Sequence, residues 1–297
     1  MKYRFLLLLT AAIWGFAFVA QVVAMDDIGP FTFNAVRSFL GAASLIPVLL
    51  LAKPEPSPEP ADFPKWIGVS IAGVFLCGGT ALQQYGLQFT TASKASFITA
   101  TYILLVPLFG LFIGHVLRRN HIIGAVLAMA GVYFLSIKDG LSIGIGDGLV
   151  ALCAVSFAGH ILYLDYASRR YPPIQIAAGQ FFVCGLLNLV FALSLETIHL
   201  DALLAAWWPI LYVGICSTGI AYTLQIVGQK YLPPTECSMI LSLEMVFGGL
   251  SGFLFLGETM TGKELAGVVC MIVGVFWSQL PSRAVIGRDT ASPEDAA

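Results

Sequence analysis

Ten runs of mostly apolar residues, set apart by charges, prolines and glycines, are what most constrains this chain. Crossing the hydrocarbon of a bilayer takes roughly 20 residues as a helix. The runs are Phe5 to Ala24, Pro30 to Ala52, Pro64 to Leu87, Ala92 to Gly114, His121 to Ile137, Ile145 to Ala167, Pro173 to Leu195, Trp207 to Gly228, Thr235 to Leu256 and Lys263 to Leu280. Lipid offers the backbone no hydrogen-bond partners, so repeated spans of this length must be helices. Only 11% of the 297 residues are charged and mean hydropathy is +0.87; a soluble domain carries about 25% charge. An ordinary cytosolic protein is excluded. The reading is an all-α polytopic membrane protein with the lipid bilayer as its surroundings.

Lys2 and Arg4 ahead of LLLLTAAIWGFAFVA also fit a secretory leader. The same pattern returns internally near Leu149 to Ala167, which assigns the first run to a repeated unit. Orientation follows from Lys and Arg, which accumulate in cytoplasmic loops. With the N-terminus inside, Lys2, Arg4, Lys53, Lys65, Arg118, Arg119, Arg169, Arg170, Lys230, Arg283 and Arg288 fall on the inner side, against Lys138 and Lys263 outside. Both termini are then cytoplasmic, and the membrane is the plasma membrane. The loop Lys53 to Phe63 (KPEPSPEPADF) reads as an extended acidic connector, and the polar tail 282–297 as disordered.

Sliding the chain along itself by 143 residues overlays the five spans of the first half on those of the second. Pro30 then meets Pro173, Thr80 meets Thr223, and Gly114, Gly124 and Gly131 meet Gly257, Gly267 and Gly274. The expected organisation is two five-helix repeats, residues 1–140 and 141–281. An odd number of spans makes the second copy enter the membrane from the opposite side, so the repeat is inverted. Such a pair supports two conformations, open to either face, around a site at the midplane.

Ionisable groups at membrane depth are costly and mark functional positions. Glu244 lies about ten residues into its span, roughly 15 Å from the inner face. It is read as a binding group for a substrate ammonium or as a protonation site, in preference to a structural carboxylate; its repeat mate is Thr101. Arg37 shares a helix face with Asn34 and Gly41, and its mate is Gln180. It either holds a substrate carboxylate or pairs with Glu244. Three further faces are polar at helical spacing: Ser156, His160 and Tyr163; Thr218, Tyr222 and Gln225; Thr80, Gln83 and Gln84. Each serves either interhelical hydrogen bonding or substrate contact. Trp14 is too deep for an interfacial anchor and is read as cavity-lining, with Gly15 beside it admitting a neighbouring helix. Pro107 is a candidate kink near the cavity. The substrate-binding set is therefore Glu244, Arg37, Trp14, Asn34, Thr101, His160, Tyr163, Gln180, Tyr222, Gln225, Gln83 and Gln84.

Other chemistry is not indicated. The six cysteines lie in apolar stretches without CxxC or His pairs at metal-ligand spacing, so no metal or cofactor is expected. A net charge of −2 gives no field for nucleic acid. Gly144 to Gly148 (GIGDG) is a turn before a span and lacks the Lys-Ser/Thr of a phosphate loop. An intramembrane enzyme needs clustered nucleophiles, acids or metal ligands, which the spans do not offer. A pore, marked by non-saturable flux, and a non-transporting scaffold, marked by none, are also compatible with such spans.

The chain resembles the EamA-type members of the drug/metabolite transporter superfamily. The resemblance rests on AAIWGFAFVA in the first span, Arg37 in the second, GLQFTTASKASFITATYILLVPL through the fourth and LGETMTGKELAGVVCMIVGVF at the end. It implies a ten-helix inverted repeat with a central cavity that carries small organic metabolites such as amino acids, often outward. Glu244, read as a protonation site, makes protons the candidate coupling ion. One departure stands out: where the family often has Gly-Glu after the fourth span, Gly114 is followed by His115, so Glu258 has no first-half counterpart.

Overall fold

The computed structural model describes residues 1–25, 28–51, 59–90, 92–136, 144–256, 261–282 and 284–286. Lys53, Lys138, Gly257, Glu258, Arg283 and Arg288 lie outside them. The described residues are mostly helical: α1 (Lys2–Ala24), α2 (Pro30–Ser44), α3 (Ile46–Leu51), α4 (Lys65–Gly86), α5 (Ala92–Ala100), α6 (Tyr102–Phe112), α7 (Arg119–Ser136), α8 (Ile145–Arg170), α9 (Pro173–Leu195), α10 (Leu200–Ala205), α11 (Trp207–Leu211), a π-helix (Tyr212–Ala221), α12 (Tyr222–Gln229), α13 (Pro234–Leu241), α14 (Glu244–Leu256) and α15 (Gly262–Ser278). Among the described residues six helical stretches are long and apolar enough to cross a membrane: Lys2–Gln21, Pro30–Leu51, Lys65–Gly86, Ile145–Arg170, Pro173–Leu195 and Trp207–Gln229. Phe97–Phe112 and Arg119–Leu135 are shorter apolar helices. Many large apolar side chains face outward along these helices, Leu50, Leu51 and Phe112 each at least 80% exposed. Water would not tolerate so continuous an apolar surface. The molecule is a helical polytopic membrane protein.

Local sequence accounts for the helix ends. Pro30, Pro173 and Pro234 open α2, α9 and α13 at the position where a missing N–H costs nothing. Thr261 caps α15 by accepting from the Glu264 N–H, while the Glu264 carboxylate accepts from the Thr261 N–H at 2.7 Å. The GIGDG turn starts α8, Gly144 N–H donating to the Asp147 carboxylate at 2.8 Å. Gly114, with φ +87°, closes α6 as only glycine does without strain.

Packing is dominated by α7 with α15, α4 with α8 and α9, α2 with α9 and the π-helix, and α1 with α14, α12 and the π-helix. Along α7 and α15 residue numbers run in opposite senses: a Cβ on Gly124 would stand 2.6 Å from the Gly274 carbonyl oxygen, whereas Gly131 meets Gly267. The two helices are antiparallel and touch backbone to backbone. Gly15 does the same for α1 and α14, its absent side chain leaving room for Phe247 and Gly248.

The fourth apolar run breaks at Thr101, between α5 and α6, and Pro107 lies inside α6. Ala284–Ile286 (β2) pair antiparallel with Leu117–Arg118 (β1). Asn120 fixes this segment, its Nδ2 donating to the Leu280 carbonyl at 3.0 Å and its N–H to Ser282 Oγ at 3.2 Å. The backbone of the α6–α7 loop thus finds partners that composition alone does not reveal.

Candidate functional site

Two runs are broken at corresponding places. α5 gives way to α6 at Thr101, and α13 gives way to α14 at Ser242 and Leu243; Thr101 and Glu244 are 143 residues apart. The cause is alike in both. Thr101 Oγ1 donates to the Ile98 carbonyl at 2.5 Å and Ser242 Oγ to the Met239 carbonyl at 2.7 Å. A hydroxyl bonded back three residues competes with the helical N–H for that oxygen. Both breaks accordingly show tight i→i−3 bonds, Thr101 N to Ile98 O at 3.1 Å and Leu243 N to Ile240 O at 3.1 Å. Interrupted helices in matching positions of two halves are where transporters place their sites.

A cavity lies between these breaks. Trp14 and Gln21 reach it from α1, Arg37 from α2, Gln83 from α4, Thr99 from α5 and Tyr102 from α6. Across from them stand Phe157, His160 and Ile161 of α8, Ser217 of the π-helix, Tyr222 and Gln225 of α12, Leu241 of α13 and Glu244 of α14. Its volume is about 60 Å³, and a buried water takes roughly 10–15 Å³ on the same measure. The space suits a metabolite of a few heavy atoms.

Its polar groups are held in place by neutral partners. Arg37 Nη1 donates to Gln21 Oε1 at 3.3 Å, and the guanidinium lies 5.7 Å from the Phe33 ring centre. Tyr102 Oη donates to Glu244 Oε1 at 3.2 Å. Gln83 Nε2 donates to Thr99 Oγ1 at 3.2 Å, and His160 Nε2 lies 2.9 Å from Gln180 Oε1. Trp14 Nε1 donates to the Ser217 carbonyl at 3.2 Å, its ring 4.6 Å from that of Tyr222. Gln225 Oε1 is buried without a protein partner. Among the described residues no ion pair joins Arg37 to Glu244, so the pairing held open for them does not form here. One cavity presents a guanidinium and a carboxyl group, and among the described residues neither has an ion-pair partner.

Seven residues of the expected set line this cavity: Trp14, Arg37, Gln83, His160, Tyr222, Gln225 and Glu244. Five do not. Asn34 turns to α4, its Nδ2 donating to the Thr80 carbonyl at 3.1 Å. Thr101 is spent on the helix break, Tyr163 donates to the Gly68 carbonyl at 2.9 Å, and Gln180 stands behind His160. Gln84 is fully buried away from the cavity. The lining residues beyond the expected set are Gln21, Thr99, Tyr102, Phe157, Ile161, Ser217 and Leu241. Among the described residues no group of three His, Cys, Asp or Glu could hold a metal ion.

The model of the EamA-like transporter family matches the chain twice, over residues 1–137 and 144–279. The chain belongs to the EamA-like transporter family. This EamA-like protein is 33% identical to an uncharacterized transporter of Archaeoglobus fulgidus over 91% of its own length and 83% of the relative. It is 28% identical to the WAT1-related protein At3g02690, chloroplastic, of Arabidopsis thaliana over 90% of this chain and 67% of the relative. Against the threonine/homoserine exporter RhtA of Salmonella typhimurium identity is 28%, over 56% of this chain and 57% of the relative. A solved crystal structure shares the fold at TM-score 0.78 and 19% identity, covering 94% of this chain and 96% of that one. With relatives named as transporters, the EamA-like chain is an integral membrane transporter of small molecules.

Proposed function

We propose that this transporter carries small zwitterionic metabolites, amino acids or close relatives, outward across the plasma membrane by alternating access around the central cavity. The observation that carries the reading is the presence of Arg37 and Glu244 in one cavity without an ion pair between them. A carboxylate accepts two parallel bonds from a guanidinium, and an ammonium group is matched by a carboxylate. Buried charges left unpaired are costly, and a zwitterion satisfies both at once. The aromatic and aliphatic wall of Trp14, Phe157, Tyr222 and Leu241 leaves room for a small side chain. That the relative RhtA is named a threonine/homoserine exporter supports the same class and direction.

Ten spans arranged as two inverted five-span repeats supply the mechanics. The twofold family match and the antiparallel glycine contacts of α7 with α15 support this arrangement. So does the packing: exchanging each residue for its mate turns α4 with α8 into α12 and the π-helix with α1, and α4 with α9 into the π-helix with α2. Glu244 also serves as the group that takes up a proton when no ammonium is present, which makes protons the coupling ion. Both chain ends lie in the cytoplasm.

The test uses purified protein in proteoliposomes loaded with radiolabelled L-threonine. Saturable efflux is expected, and Glu244→Gln and Arg37→Gln are each expected to lower it about tenfold or more, the worth of one charge-assisted bond. Efflux that neither substitution alters removes the cavity charges from the mechanism. Cysteine labelling that places the two termini on opposite faces removes the inverted repeat.

A further inference from the structure

The Tyr102–Glu244 hydrogen bond joins the two halves at their breaks. Tyr102 is the first residue of α6 and Glu244 the first residue of α14. Each is where a helix begins again after its interruption, so the bond ties restart to restart. Tyr102 is 4% exposed, and among the described residues its hydroxyl is the one hydrogen-bond partner of the Glu244 side chain. Glu244 also stands in the first turn of the restarted α14, where a carboxylate is favoured by the helix dipole. Moving this side chain therefore acts on the start of α14 directly and on the start of α6 through the tyrosine.

The bond is also built to be exchanged. At 3.2 Å it lies beyond the usual range for O–H···O contacts. An ammonium donor makes a shorter bond to a carboxylate, about twice as strong as one between neutral groups. We propose that Tyr102 is a positioning residue: its hydroxyl holds Glu244 while the cavity is empty and yields it to an incoming ammonium group, so that occupancy loosens both interrupted helices together. This rests on the reading of Glu244 as the group that binds the substrate cation. An empty carrier stays tied at both breaks, and a loaded one is released.

The test is made on the full chain in lipid nanodiscs with dicyclohexylcarbodiimide, which condenses with buried carboxyl groups and stands in for an occupant of Glu244. Hydrogen exchange is followed over residues 98–104 and 240–247. In the unaltered chain, reaction at Glu244 is expected to raise exchange in both segments. In Tyr102→Phe, which keeps the ring, both segments are expected to exchange faster before any reagent is added and to respond no further. Glu244 is expected to react roughly fivefold faster there, as befits the loss of one hydrogen bond. Glu244→Gln, which keeps one acceptor oxygen for the tyrosine, is expected to fall between the unaltered chain and Tyr102→Phe in exchange and to take up no reagent at this position. A response confined to residues 240–247 overturns the proposal, and this arm needs no variant. Exchange in Tyr102→Phe identical to the unaltered chain overturns it as well. If both segments respond while Glu244→Gln leaves L-threonine efflux unchanged, the substrate reading fails and the tie stands.

Discussion

Gly131 faces Gly267 so closely that a Cβ on either would stand 2.5 or 2.8 Å from the other's carbonyl oxygen. The obstructing atom is backbone, which no rotamer change moves aside. Gly131→Ala and Gly267→Ala are each expected to cost about 1–3 kcal/mol by overpacking, read as a lowered thermal midpoint in detergent. Because the two contacts share one helix crossing, the double substitution is expected to be less than additive.

Glu196 follows α9 yet caps α2. Its carboxylate accepts from the N–H groups of Phe31 and Thr32 at 2.8 and 2.7 Å and from Thr32 Oγ1 at 2.6 Å. Removing an N-cap acceptor costs about 0.5–2 kcal/mol, so Glu196→Ala should lower stability by that amount. Faster amide exchange at Phe31 and Thr32 is the specific sign; Glu196→Gln, which keeps one acceptor oxygen, should fall between.

Arg4 and Glu236 meet at 3.0 Å, tying the start of α1 to the start of α13. The arginine is 39% exposed, so water screens the pair. A double-mutant cycle with Arg4→Gln and Glu236→Gln should give a coupling below about 1 kcal/mol, smaller still in high salt. A larger, salt-insensitive coupling contradicts the exposure.

Asp165, buried near the end of α8, accepts from Arg169 at 2.9 Å and lies 3.8 Å from His115 Nε2. Asp165→Asn removes the carboxylate that Arg169 and His115 share and should cost about 1–3 kcal/mol. Arg169→Gln should cost less, since that side chain is 41% exposed and leaves the carboxylate close to His115. Thermal midpoints of the two variants check the order.

The helices are largely legible from hydrophobic length, and the deep polar and ionisable positions from their cost in lipid. Glu244, Arg37 and His160 stand out by that argument alone. Which polar face meets the cavity is not legible, because it depends on how helices are rotated against one another. Asn34 and Arg37 differ by three residues, or about 60° around the helix, and that suffices to turn one to Thr80 and the other to the cavity. Tyr102 is hidden because an aromatic ring beside an apolar run packs anywhere. Its position next to Thr101, the mate of Glu244, is the signal that could have found it. Gln21 lies close enough to the end of its run to read as interfacial, and Thr99 and Ser217 are small hydroxyls that helices accommodate freely. Phe157, Ile161 and Leu241 carry no sequence signal at all.

The wide-turned stretch Tyr212–Ala221 overlies Val69–Gly78, which is ordinary α-helix within α4. A duplicated machine with identical parts would idle equally in its two orientations. Here one wall is wound at five residues per bond and its counterpart at four, so under the alternating access proposed above the two orientations would differ in energy and the unloaded protein would favour one of them. Such a bias would set where each proposed cycle begins and how long its return stroke lasts, without supplying any driving force of its own.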